Sequence, residues 1–147
     1  IQDLDDVDVA AEGVCISHFH YLDLRFPDSK FVLTTRELDA WLKSCERALT
    51  DFPLDRIPQD SPFYNAMIRN RSSRYGTLEF DAATLTERFY HHHFDVVSHF
   101  RNRFSQLLII DLTKGAQWEK LCHFLDRDIP PVDFPFIRGK TGLGQAD

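Results

Sequence analysis

The chain has 147 residues, 43% of them hydrophobic and 13 of them Phe, enough apolar material for one packed domain and too much for a disordered chain. A net charge of -6 and a pI near 5.6 remove the broad positive field that nucleic-acid or anionic-membrane binding needs. Three cysteines without a CxxC pair, and a longest apolar run of only Leu107 to Ile110, exclude a disulfide framework and a membrane span and point to the reducing cytoplasm.

The chain opens on Ile1 and has Met67 as its single methionine, which reads as a processed chain or a piece of a longer one. Residues 1–16 carry Asp3, Asp5, Asp6, Asp8 and Glu12 with little periodicity, so an acidic arm is expected before a core over 17–136. Ser17 to Phe26 mixes two apolar periods and stops at Pro27, which predicts a short helix. FVLTT (Phe31 to Thr35) is apolar without alternation, the pattern of a parallel strand covered on both faces. Leu38, Trp41, Leu42, Cys45 and Leu49 then share one helical stripe, with acidic residues early and basic residues late.

Pro53, Pro58 and Pro62 make the next stretch irregular, before a helix from Ser61 to about Arg71 and a turn at Arg74-Tyr75-Gly76. A long helix is predicted from Asp81 to Arg103, leading straight into a second apolar strand, Leu107 to Thr113. Trp118, Leu121, Cys122 and Leu125 repeat as a last helix, and residues 137–147 read as a flexible tail. Two strands cannot form a stable parallel sheet alone, so a further strand is expected from elsewhere, either a longer chain, a partner or a second copy.

The candidate chemistry lies where the first strand meets its helix. Arg36 stands at the strand's end, and the N–H groups that open the next helix form an anion site. The Arg36 fork suits phosphate oxygens, and Ser44 lies two helical turns on with a hydroxyl to add. The competing reading pairs Arg36 with Glu37. His93 falls on the apolar stripe of the long helix and reads as a core histidine bonded to backbone. His91, Asp95 and His99 recur at spacings of four, which permits a metal site or, more simply, a solvated face. His18 and His20 are candidate bases for an acceptor hydroxyl. Arg69, Arg71 and Arg74 form a basic cluster that either guides an anion or stays solvated, and Trp41 and Trp118 read as core.

The run FPDSKFVLTTRELDAWLKS resembles the FPxSKFILTxRDPxxWxxS segment of the P-loop sulfotransferases that use 3′-phosphoadenosine 5′-phosphosulfate. LLIIDLTKGAQWEKLCHFLDRDIPPVDFPF is similar to that family's later LLxLDLTxGxGWExLCxFLGxPxPxxPFP segment, and Tyr90, His93 and Val97 fit its YxxHxxxV stretch. The match runs from about Tyr21 to Phe136. It implies an α/β fold, a P-loop-type three-layer architecture with a parallel sheet, incomplete here with about two core strands. It implies binding of the cofactor's 3′-phosphate by Arg36 and Ser44, with Arg138, Gly139 and Lys140 resembling a basic segment near the same phosphate. No metal is implied, and the acceptor is a small molecule bearing a hydroxyl or amine.

The family's first strand and phosphosulfate loop have no counterpart. Gly139-Lys140-Thr141-Gly142 follows no strand and opens no helix, so it does not supply that loop. Asp126 replaces the glycine usual after Phe-Leu and suggests a different turn. The resulting expectation is a sulfotransferase-like domain, inactive alone, whose acceptor side is built from Pro53 to Gly76. The alternatives are a non-enzymatic remnant or interaction module that pairs through its sheet edge, and another P-loop nucleotide-binding protein of kinase-like fold.

Overall fold

The computed structural model describes residues 4, 7–11 and 13–135. In chain order its elements are α1 (Gly13–Arg25), β1 (Phe31–Thr35), α2 (Leu38–Thr50), α3 (Pro62–Tyr75), α4 (Ala82–His99), β2 (Leu107–Asp111) and α5 (Trp118–Leu125). Short 3-10 turns lie at Leu54–Arg56 and Phe104–Gln106. The two strands pair in parallel, with Phe31 opposite Leu107 and Thr35 opposite Asp111. Their connection carries α2, α3 and α4, so the fold is the expected α/β class, mostly helical around an incomplete sheet. No helix among the described residues is long and apolar enough to cross a membrane.

Helix α4 organises two cores. Its Val96 and the following Phe100 pack with Phe19 of α1 and with Leu33 and Leu107 of the sheet. Its Leu85 packs with Cys45 and Leu49 of α2, against Trp41, Leu42, Tyr75 and Phe80. Leu85 and Phe100 have no exposed surface, and each such burial is worth about 2–3 kcal/mol. The helix starts are chemically marked. Ser61 accepts from the Tyr64 N–H at 3.1 Å ahead of Pro62, and Asp81 accepts from the Thr84 N–H at 3.0 Å.

Several expectations need correction. Helix α1 begins at Gly13 rather than Ser17 and is broken at His18 (φ -132°, ψ 19°). Helix α4 stops at His99 rather than Arg103, because the Arg103 side chain is drawn off to a carboxylate on α1 and the chain turns there before β2. Strand β2 ends at Asp111 rather than Thr113, because the Asp111 carboxylate accepts from both the N–H and the hydroxyl of Thr113, at 2.9 and 2.6 Å, and closes a turn. The strands are not covered on both faces: Val32 is 39% and Ile109 46% exposed, on opposite faces of the sheet. Among the described residues there are too few elements to bury two apolar strands completely.

Asp126 also departs from expectation. It caps α5 in the left-handed conformation (φ 53°), and the Arg127 N–H closes back on the Cys122 carbonyl at 2.9 Å. That is the turn a glycine would make, built with an aspartate whose carboxylate pairs with Lys30.

Candidate functional site

The tip of β1 is held from α4. His93 bonds through Nδ1 to the Phe89 carbonyl at 2.8 Å and through Nε2 to the Thr35 hydroxyl at 2.9 Å. A carbonyl only accepts, so Nδ1 carries the proton; in the neutral ring Nε2 therefore accepts from Thr35. His93 is thus the inward, backbone-bonded histidine expected, and it also fixes the residue immediately before Arg36.

Arg36 is half-buried, and its Nε is sealed from solvent with no hydrogen-bond partner. A buried donor without an acceptor costs about 1–3 kcal/mol. The pairing with Glu37 does not form: the Glu37 carboxylate takes the Lys114 ammonium at 3.2 Å. Helix α2 opens at Leu38 without a side-chain cap, leaving its first-turn N–H groups available. The positive charge of Arg36 reaches Cys45, the residue after Ser44, and so does that of Arg74. Burial nonetheless dominates there and pushes the Cys45 thiol up to about 11. Ser44 is half-buried on the same helix, and no hydrogen bond joins it to Arg36 among the described residues.

A cleft of about 290 Å³ opens between α1, α3 and α4, lined by Ser17, His20, Ser73, Arg88, His92 and Asp95, with Phe19 among its apolar residues. His20 Nε2 lies 3.6 Å from Asp95 Oδ1, just beyond hydrogen-bond reach. Ser17 and Ser73 share a hydroxyl–hydroxyl bond, and Arg88 donates to the Ser73 carbonyl at 2.8 Å. Burial, then the charges of His93 and Arg88, hold the His92 imidazole below its ordinary value of 6.5. Two lining residues are sequence neighbours of residues tied to the β1–α2 corner: His92 precedes the His93 that bonds Thr35, and Ser73 precedes Arg74, whose charge, like that of Arg36, offsets part of the burial effect on Cys45.

The other candidates divide. His20 lines the cleft, whereas His18 sits exposed at the break in α1 and does not. Of the segment Pro53 to Gly76, expected to build the acceptor side, only Ser72 and Ser73 line this cleft, and α1 and α4 supply its other residues. His91, Asp95 and His99 do not converge, since Asp95 faces His20 and His99 bonds to Asp23 at 2.7 Å. No group of three metal-ligating side chains is arranged for a metal among the described residues. Arg69 and Arg74 are exposed, but Arg71 is neither solvated nor free for an anion: it is 3% exposed and donates to the carbonyls of Leu78 and Phe52. Trp41 packs on Phe89 at 5.2 Å and Trp118 on Phe134 at 4.9 Å, both structural. Arg138, Gly139 and Lys140 lie outside the described residues.

Sequence reasoning missed Asp95, Arg88 and Ser73 as members of one cleft. Their only signal was the placement of Arg88, His91, His92 and Asp95 on adjoining faces of α4, which does not reveal what packs opposite.

A parallel sheet with a long helical crossover and an arginine at a strand tip before an uncapped helix defines an α/β core suited to holding an anion. The family model described as a sulfotransferase domain matches residues 2–141, and the chain belongs to that family. Membership implies a nucleotide co-substrate in general terms. The chain is also 22% identical, over 153 aligned positions, to "Ava biosynthesis cluster protein M" of Aspergillus versicolor. The alignment covers 96% of this chain and 58% of that protein, so the chain spans little more than half the length of its relative.

Proposed function

We propose that this chain carries the 3′-phosphate-binding and acceptor side of a sulfotransferase that uses 3′-phosphoadenosine 5′-phosphosulfate. The co-substrate supplies the sulfuryl group, delivered to a hydroxyl or amine. Arg36 offers its fork and Ser44 its hydroxyl to the 3′-phosphate, beside the free N–H groups of α2. His20, facing Asp95, takes the proton that the acceptor releases; apo geometry at such pairs is commonly loose and tightens on binding. With no phosphosulfate loop among the described residues to neutralise the leaving phosphate, they bind nucleotide but do not transfer by themselves. Three free cysteines, two of them buried, fit a cytoplasmic setting.

One observation carries the reading: the buried, unpartnered Nε of Arg36 at the tip of β1. Calorimetric titration with adenosine 3′,5′-bisphosphate tests it. Saturable binding that falls at least tenfold in Arg36→Ala, with a smaller loss in Ser44→Ala, is expected. Binding unchanged by Arg36→Ala, or a preference for ATP, overturns it.

The exposed Val32 and Ile109 favour a second reading, in which the open sheet is completed by another chain or a second copy. Sedimentation of the purified chain across a hundredfold concentration range tests this, and a monomer throughout removes the self-paired version.

A further inference from the structure

The cleft between α1, α3 and α4 has a wall chemistry that restricts its occupant. Its permanent charges are one of each sign, the Arg88 guanidinium and the Asp95 carboxylate, and they cancel in formal count. The neutral state of His92 is reinforced by its burial. A net charge on the ligand would therefore find no surplus of opposite sign. Polar surface exceeds apolar surface in the lining, where Ile16 and Phe19 supply the apolar part and Phe19 is itself largely buried.

The wall mixes donors and acceptors. Arg88 donates, Asp95 accepts, the Ser17 and Ser73 hydroxyls do either, and each neutral imidazole has one nitrogen of each kind. A hydroxyl group also does both, so a ligand with several hydroxyls matches such a wall group for group. A flat phenol or an alkyl alcohol would strip water from these groups and return one hydrogen bond. Its ring or chain would also find only Ile16 and Phe19 as apolar wall, less than such groups normally need.

We propose that this cleft is the acceptor site and that it takes a small, uncharged, hydroxyl-rich molecule such as a polyol or a single sugar unit. The role of acceptor rests on the sulfotransferase reading above; the class of ligand rests on the cleft alone. The cleft volume of about 290 Å³ suits one ring of this size. His20 lies where one hydroxyl of such a ligand meets it, beside Asp95.

The test is a titration of the isotopically labelled chain at pH 7, followed through its histidine ring resonances, with myo-inositol and methyl glucoside as probes. The comparison probes are 2-naphthol and 1-octanol. Saturable shifts at His20, His91 and His92 at about millimolar probe are expected, with His18 and His123 unmoved as internal controls. Arg88→Gln and Asp95→Asn should each weaken binding several-fold. Asp95→Asn serves if Arg88→Gln disturbs the fold, because Arg88 donates to the Ser73 carbonyl whereas no side-chain hydrogen bond of Asp95 to backbone is formed among the described residues. Shifts produced by naphthol or octanol and not by the polyols overturn the proposal. So do shifts spread equally over all histidines, or none with any probe. Failure of the sulfotransferase reading shows separately, as bisphosphate binding indifferent to Arg36→Ala, and leaves the polyol result standing.

Discussion

Asp23 on α1 and Arg103 beyond the end of α4, 80 residues apart, form a two-pronged ion pair with N–O distances of 2.9 and 2.6 Å. Arg103 also donates to Gln106 Oε1 at 2.9 Å, and Gln106 donates to the Pro27 carbonyl, so one network pins α1, its exit and the approach to β2. His99 adds a third contact to Asp23 at 2.7 Å.

This pair makes stability acid-sensitive. The Arg103 hydrogen bond, opposed by burial and helped by His99, holds the Asp23 carboxyl below its ordinary value of 3.8. A lowered carboxylate stabilises fully above 3.8, and that contribution is lost as pH falls through the folded value. Asp23→Asn should cost about 2 kcal/mol at pH 7, reduced from a fully buried pair because Arg103 is partly exposed. Urea unfolding at pH 7 and pH 3 checks this: the gap between wild-type and variant midpoints should narrow in acid, and a gap that persists unchanged would refute the assignment.

Much of the fold was legible in the sequence. β1 was marked by a run without alternation, and the starts of α3 and α4 by Ser61-Pro62 and Asp81, because these signals act within a few residues. The end of α4, the end of β2 and the turn at Asp126 were not legible. Each depends on a side chain finding a partner at a distance or overriding local preference: Arg103 on Asp23, Asp111 on Thr113, Asp126 on Lys30. The site divided in the same way. Arg36 and Ser44 lie within one strand–helix junction and could be read, whereas the cleft joins three helices whose packing no local spacing records.

Arg71 shows what a distant partner does to an arginine. Its guanidinium donates to the Leu78 carbonyl at 2.8 Å and to the Phe52 carbonyl, tying the segments before and after α3. Arg71→Ala leaves both carbonyls without that donor and opens a cavity, so a loss of about 2–4 kcal/mol is expected. Arg71→Lys keeps the charge but not the fork and should recover less than half. Thermal unfolding of both variants checks this, and a neutral Arg71→Ala would show the clamp to be incidental.

Asp126 holds a left-handed turn that favours glycine, at φ 53°, while its carboxylate is kept below its ordinary range by Lys30. Asp126→Ala retains the backbone strain and loses the pair, lowering Tm by about 2–4 °C. Asp126→Gly loses the pair but removes the strain, so its Tm should match or exceed wild type. Melting curves of the two variants decide the matter; equal losses in both would mean that the ion pair alone matters.

Cys45 reports on the candidate phosphate corner. Its thiol is pushed up to about 11 by burial, with Arg74 and then Arg36 offsetting part of the rise. At pH 8 only about one molecule in a thousand then carries the thiolate, so alkylation by iodoacetamide should be slowed at least a hundredfold relative to the unfolded chain. Arg36→Ala removes one offsetting charge and should slow it further. Peptide mass mapping after timed labelling measures both, and faster labelling in the variant would show that Arg36 does not act on this thiol.

The bond between Thr35 and His93 ties the strand tip to α4 one residue before the candidate ligand Arg36. Because Nδ1 donates to the Phe89 carbonyl, the neutral ring has only Nε2 to offer, and Thr35 must donate to it. Nitrogen spectra at pH 8 should therefore show His93 as the Nδ1–H form. Thr35→Val keeps the shape but leaves Nε2 unpartnered, costing about 1 kcal/mol, whereas Thr35→Ser keeps the hydroxyl and most of the stability. The same loosening should weaken adenosine 3′,5′-bisphosphate binding in Thr35→Val while leaving it close to wild type in Thr35→Ser. A valine variant that is less stable but binds unchanged would confine this bond to the fold and separate it from the positioning of Arg36.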